Sequence, residues 1–232
     1  MTSVVHSQLH QARANGAGPP RLITRLISCQ SFEETVSEYN RTANVYDKTF
    51  TNDTYHAPRL AAEAVLRMCP ADGPVPRSKL RVMDIAAGTG LVAQRLYDAG
   101  ITHLDGLEPS SEMIALAKAR GIYQRLIMDT IGDHKIDVED DIYDVVVVAG
   151  GFVPGHCPVS SLDDMIRICK PGGYVVNTMR LEFLVMSDEY QQLESFMKRQ
   201  EELGRWRRVE RCVIDRYFED AKQGVTFIYQ KL

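Results

Sequence analysis

Asp84, Gly88, Gly90 and Glu108 are the residues of this chain whose types and spacing best suit joint chemistry. The apolar Val82-Met83 runs into Asp84, and the small-residue turn Ile85-Ala86-Ala87-Gly88-Thr89-Gly90 follows at once. A helical pattern starts at Leu91. That order describes a buried strand, a tight loop and a helix whose N-terminus faces a ligand with unpaired N–H groups and partial positive charge. Gly88 and Gly90 put no Cβ between chain and ligand. Alone, the loop suits a nucleoside or a pyrophosphate. Gly88-Thr89-Gly90-Leu91-Val92-Ala93 even fits the relaxed G-x-G-x-x-(G/A) dinucleotide fingerprint, and a glycine turn is also ordinary punctuation.

Two acids narrow the choice. Asp84 closes the strand at the mouth where ligands bind in open α/β sheets. A carboxylate there favours a cationic ligand and repels a pyrophosphate; its structural alternative is to cap the turn. Glu108 ends His103-Leu104-Asp105-Gly106-Leu107-Glu108, about 20 residues after the glycines, where an acid accepts hydrogen bonds from both ribose hydroxyls. A solvated loop acid is the plain alternative.

Such residues need a parallel sheet to hold them. Strands are expected at 80–85, 104–107, 124–128, 145–148 and 174–178, and helices at 91–98, 111–120, 162–169 and 189–203. Ser110 is the expected N-cap of the second of these helices and Gly121 its stop. Val145 to Val148 is apolar throughout, as a strand covered on both faces must be. Residues 206–217 and 225–229 read as an antiparallel pair at one sheet edge. Alternating β–α units predict an α/β fold: one doubly wound, mostly parallel sheet of seven strands with an antiparallel edge strand. Upstream, Tyr39, Ala43, Tyr46 and Phe50 mark one helical face, and Leu60, Ala64 and Leu66 a second helix that Pro70 closes. Residues 31–70 are expected to form an N-terminal helical lid, 79–232 the sheet core, and 31–232 one domain. Residues 1–30 hold no acid, three arginines and a Gly16-Ala17-Gly18-Pro19-Pro20 breaker. They read as a disordered tail or, in the sharper alternative, a mitochondrial presequence.

Composition bounds the class. The 232 residues carry a net charge of −4, which disfavours general nucleic-acid binding. No apolar run approaches transmembrane length. Cys29, Cys69, Cys157, Cys169 and Cys212 are scattered and include no C-x-x-C, which suits a reducing, cytoplasmic setting and indicates no metal site.

At this point the chain resembles the class I S-adenosylmethionine-dependent methyltransferases. Asp84-Ile85-Ala86-Ala87-Gly88-Thr89-Gly90 is similar to that family's D-x-G-x-G-x-G motif, with Ala86 in place of the first glycine. Glu108 matches the acid ending the second strand, Tyr143-Asp144-Val145-Val146-Val147-Val148 the fourth strand, and Lys170-Pro171-Gly172-Gly173 the turn entering the fifth. The likeness covers roughly residues 39 to 180. Tyr46-Asp47, Tyr55-His56-Ala57-Pro58-Arg59-Leu60-Ala61 and Gly121-Ile122-Tyr123-Gln124-Arg125-Leu126 more closely resemble the Williams-Beuren syndrome chromosomal region methyltransferase-like proteins. The resemblance implies a Rossmann-like methyltransferase fold and S-adenosyl-L-methionine as cofactor. It implies a cofactor set of Tyr46, Asp84, Ala86, Gly88, Gly90, Glu108, Pro109, Ser110, Met113, Asp129, Thr130 and Ala149. Within this set Asp84 would orient the methionine end, Glu108 grip the ribose and Asp129-Thr130 approach the adenine amino group, with Met128 and Ile131 beside the ring. Tyr46 and Tyr55 would belong to the lid.

The acceptor side is less marked. Ala149 to Pro158 lacks the (D/N)-P-P-(Y/F) motif of the amide- and adenine-methylating members. His156 is a candidate general base or acceptor ligand, and Arg180 a candidate partner for a substrate carboxylate. Exposure and a surface ion pair are their plain alternatives. Arg205, Trp206, Arg207, Arg208 and Arg211 form one basic cluster, read as the solvated face of an edge strand. The expected reaction is methyl transfer to an unidentified acceptor, a small molecule ahead of a protein side chain. The alternatives are a cofactor-binding scaffold without turnover and, behind it, a nicotinamide-dependent oxidoreductase.

Overall fold

The computed structural model describes residues 19–29, 31–220 and 222–232. Its centre is one seven-stranded sheet in the order β3-β2-β1-β4-β5-β7-β6. The strands are β1 (Arg81–Ile85), β2 (His103–Leu107), β3 (Tyr123–Ile127), β4 (Tyr143–Ala149), β5 (Cys169–Arg180), β6 (Trp206–Ile214) and β7 (Gly224–Lys231). β1 to β5 pair in parallel. β7 runs antiparallel between β5 and the edge strand β6.

The helices are α1 (Pro19–Leu26), α2 (Phe32–Thr49), α3 (Ala57–Met68), α4 (Leu91–Asp98), α5 (Ser111–Ala119), α6 (Ser161–Ile168), α7 (Phe183–Met186) and α8 (Leu193–Glu202). The valines of β4 show why both faces need cover. Val145 and Val147 pack with Ala61, Val65, Val92 and Leu96 of α3 and α4. Val146 and Val148 pack with Leu162, Met165, Leu193 and Met197 of α6 and α8. Each residue is buried, and burying one valine, leucine or methionine side chain stabilises by about 1.5–3 kcal/mol.

Three expectations need correction. The tail read as structureless through residue 30 is helical from Pro19 to Leu26, because Leu22 and Leu26 bury against Phe50, Tyr55 and Phe218; residues 1–18 lie outside the described residues. The lid expected over 31–70 is not one unit. α2 crosses the loops at the carboxyl end of the sheet, whereas α3 is a core helix with Ala57, Ala61, Ala64 and Val65 at zero exposure. Lastly, Lys170-Pro171-Gly172-Gly173 is not a turn ahead of β5 but a segment within it. The register between β4 and β5 shifts there to absorb the extra residues.

The expected basic cluster sits as read: Arg207, Arg208 and Arg211 are exposed on the edge strand β6, with Arg211 paired to Glu194 at 2.6 Å. Trp206 alone turns inward and stacks on Tyr229. Among the described residues no helix is long and apolar enough to cross a membrane.

Candidate functional site

The loop after β1 begins with a residue in an unusual conformation. Ala86 has φ +53, a region that costs an L-residue roughly 1–2 kcal/mol. The family's glycine at this position is therefore a backbone requirement, which alanine, the smallest alternative, meets under strain. Gly88 also has a left-handed φ, and a Cβ there would meet nothing within 4 Å. Its backbone N–H donates to Glu108 Oε2 at 2.9 Å, and that of Ser110 to Oε1 at 2.9 Å. Glu108 is buried. Burial outweighs its two N–H donors and pushes its carboxyl up to about 7. Ser110 also caps α5, its hydroxyl accepting from Met113 N–H.

These residues form one wall of a cavity at the carboxyl ends of β1, β2 and β4. Tyr46, Ala86, Gly88, Glu108, Pro109, Ser110, Thr130, Ala149 and His156 all line it, as do Tyr55 and Ile131. Five expected residues do not. Asp84 is turned away: its carboxylate accepts from Tyr123 Oη at 2.8 Å, and burial raises it to about 7 against that hydrogen bond. Gly90 serves packing, with Tyr123 and Arg120 against the position a Cβ would take. Met113 is fully buried. Asp129 faces a neighbouring groove with Met128, and His134 lies 3.1 Å from it. Arg180 lines a second cavity.

α2 roofs the site with the face read from its period. Rings run in near contact from His156 through Tyr39, Tyr46, Phe50 and Tyr55 to Phe218, at centroid separations of 4.4 to 6.1 Å. Two clamps fix this helix. Asn40 Oδ1 accepts from Ser110 Oγ at 2.8 Å and Glu112 N–H at 3.2 Å. Asp47 takes Thr89 Oγ1 at 2.5 Å and Arg120 Nη2 at 2.6 Å, while Arg120 Nε donates to the Thr89 carbonyl. Asn40, Arg120 and Tyr39 were not among the expected site residues. Only Tyr39 carried a signal, as a member of the aromatic stripe.

His156 is neutral and its tautomer is defined. Nδ1–H donates to the Pro154 carbonyl at 3.1 Å, so Nε2 accepts from the Tyr39 hydroxyl at 2.9 Å. Loss of solvation lowers its pKa to about 4. Burial holds the Tyr39 and Tyr46 phenols well above their ordinary value. No cluster of His, Cys, Asp or Glu among the described residues is arranged to hold a metal ion.

Residues 82–173 match the methyltransferase domain family. The chain is 31% identical over 209 residues to human methyltransferase-like protein 27, covering 88% of this chain and 82% of that protein. It is 32% identical over 152 residues to the demethylmenaquinone methyltransferase of Renibacterium salmoninarum, covering 62% and 57% of the two chains. Among solved structures, the methyltransferase in complex with the Haloferax volcanii Trm112 activator superposes with a TM-score of 0.61 at 21% identity, covering 84% and 97%. The [4+2]-cyclase SpnF does so with a TM-score of 0.65 at 14% identity, covering 88% and 98%; the fold by itself therefore does not specify the reaction. The 31% identity across most of both chains does specify the kinship: this chain belongs to the methyltransferase-like protein 27 family of class I S-adenosyl-L-methionine-dependent methyltransferases.

Proposed function

We propose that the protein methylates a small molecule held between the aromatic roof of α2 and the carboxyl edge of the sheet. The observation that carries this is the pair of adjoining cavities under α1 and α2, which share Tyr39, Tyr46, Tyr55 and Gly150 as walls. Such a chamber suits a small acceptor better than a protein side chain, which would have to enter with its backbone attached.

The residues present fit S-adenosyl-L-methionine. Glu108 keeps carboxylate lone pairs beyond the two that Gly88 and Ser110 use, and a ribose diol matches them. Gly88 leaves its side of the cavity open. Tyr39 and Tyr46 give the cation an electron-rich wall. Pro109, Ser110, Thr130 and Ile131 would surround the adenosine, and Ala86 and Ala149 the methionine end. Asp84 acts at one remove, by fixing Tyr123 behind the loop. When bound, the cofactor supplies an electrophilic methyl carbon, and its sulfur keeps the electron pair of the broken bond.

The chain's own work is positional. α2 excludes water and the roof aligns the acceptor atom, whose lone pair forms the new bond. The acceptor's proton passes to Tyr39 Oη as the Tyr39 proton passes to His156 Nε2. A weak base suffices for an oxygen acceptor, which becomes strongly acidic as it takes up the methyl group. Tyr39→Phe and His156→Gln test this relay: each should lower kcat while leaving the S-adenosylmethionine Kd in place. Unchanged kcat in both, once an acceptor is in hand, would remove the relay from the account. Glu108 would suit the ribose of either cofactor; the nicotinamide reading loses its support because the family assignment favours S-adenosylmethionine.

A further inference from the structure

The second cavity is apolar and aromatic except for one charged side chain. α1 contributes Ile23 and Leu26, and Tyr217 and Phe218 close the far side. Arg180, at the end of β5, is 8% exposed. Its guanidinium lies 5.0 Å from the Phe183 ring centre and 5.5 Å from that of Phe218. It pairs with Glu182, whose other oxygen takes Lys222 Nζ at 2.9 Å. Two cations thus share one carboxylate. Arg180 Nε is buried and has no hydrogen-bond partner among the described residues. Buried donors are nearly always paired, so an unpaired one in a cavity-lining side chain calls for an acceptor that arrives with a ligand as the guanidinium shifts to meet it.

We propose that this cavity is the acceptor site, and that the acceptor is a flat aromatic molecule carrying a carboxylate or phenolate oxygen that binds Arg180 Nε–H. The proposal rests on the methyl-transfer reading above and names its substrate class. The walls favour flatness: Tyr55 and Phe218 are stacked at 4.9 Å, and ring faces and edges reward another π-system over a saturated chain. The surplus positive charge favours an anion. The shared walls put the bound ring beside Gly150, where the two cavities meet at the end of β4. Space there is already limiting: a Cβ on Gly150 would lie 2.1 Å from Tyr55 Oη.

The test uses protein saturated with S-adenosylhomocysteine, titrated calorimetrically with benzoate, 2-naphthoate, 3-hydroxy-2-naphthoate and octanoate. At least one aryl carboxylate should bind about tenfold more tightly than octanoate. Arg180→Met should weaken that binding by about tenfold or more and leave S-adenosylhomocysteine affinity within about twofold. Ile23→Trp, which fills the cavity from α1, should abolish aryl carboxylate binding with S-adenosylhomocysteine binding kept; it carries the test if Arg180→Met does not fold. Aryl carboxylates that bind the wild type no better than octanoate, or that bind Arg180→Met or Ile23→Trp as they bind the wild type, overturn the proposal while the cofactor reading stands. Wild-type protein that takes no S-adenosylhomocysteine overturns the cofactor reading and the proposal together.

Discussion

Glu108→Ala removes the carboxylate that bridges the glycine loop and the start of α5. In the wild type its two oxygens each accept one backbone N–H at 2.9 Å, and their remaining lone pairs are the proposed ribose contacts. A hydrogen bond to a charged group contributes about 1.5–3 kcal/mol. The truncation also opens room for water at the two freed donors, which offsets part of the loss. We expect S-adenosylmethionine binding to weaken by about 2 kcal/mol, roughly thirtyfold in Kd. The pH dependence is a sharper sign of the same contact. Burial raises the carboxyl to about 7, and the ionised form is the one with lone pairs for both hydroxyls. Protons therefore oppose binding, and affinity should rise with pH through neutrality, by about thirtyfold from pH 5.5 to 8, then level off. Glu108→Ala should lose the slope as well as the affinity. Calorimetric titrations of both proteins at pH 5.5, 7 and 8 check this. An unchanged Kd in the variant, or the same slope in both proteins, would refute the ribose assignment.

Asp47→Ala cuts the clamp from α2 to Thr89 and Arg120; we expect faster cofactor dissociation in stopped flow, with stability reduced by about 1 kcal/mol. Tyr123→Phe leaves the buried Asp84 carboxylate without its hydroxyl donor, and a stability loss of about 1–3 kcal/mol should appear in urea unfolding. Burial raises Asp84 and Glu108 to about 7 each, and their two protons outnumber the one that His156, lowered to about 4, gives up, so the ligand-free folded state holds more protons than the unfolded chain between about pH 4 and 7. Its melting temperature should then fall as pH rises across that window, and Asp84→Asn should flatten the fall. Ala86→Gly relieves a left-handed backbone but adds freedom to the unfolded chain. The two effects nearly cancel, and a stability loss above about 1 kcal/mol would argue against the strain at this residue.

The parts of the site that were legible in the sequence are those set by local rules. Gly88 and Glu108 follow from a strand–loop–helix pattern and a second strand of fixed spacing. The aromatic stripe of α2 follows from its helical period, and the Ser110 cap from residue type. What was not legible depends on distant partners. Whether a strand-end carboxylate such as Asp84 faces the ligand or the neighbouring strand was decided by Tyr123, 39 residues later. Asp129 turned toward the groove beside His134 rather than the main cavity. The helical period of α3 shows that one face is buried, not that it is buried against the sheet. α1 is helical because Leu22 and Leu26 meet Phe218, near the other end of the chain. Arg180 was visible as a candidate partner for a substrate carboxylate; that it stands beside two phenylalanine rings on a cavity wall required the fold.

The most direct measurement is a crystal structure of the protein with S-adenosylhomocysteine. The account predicts the ribose on Glu108, the adenine beside Thr130 and Ile131, and the sulfur pointing to the junction of the two cavities at Gly150, with Arg180 beyond it. A ligand whose sulfur faces away from that junction, or whose ribose makes no contact with Glu108, would contradict it.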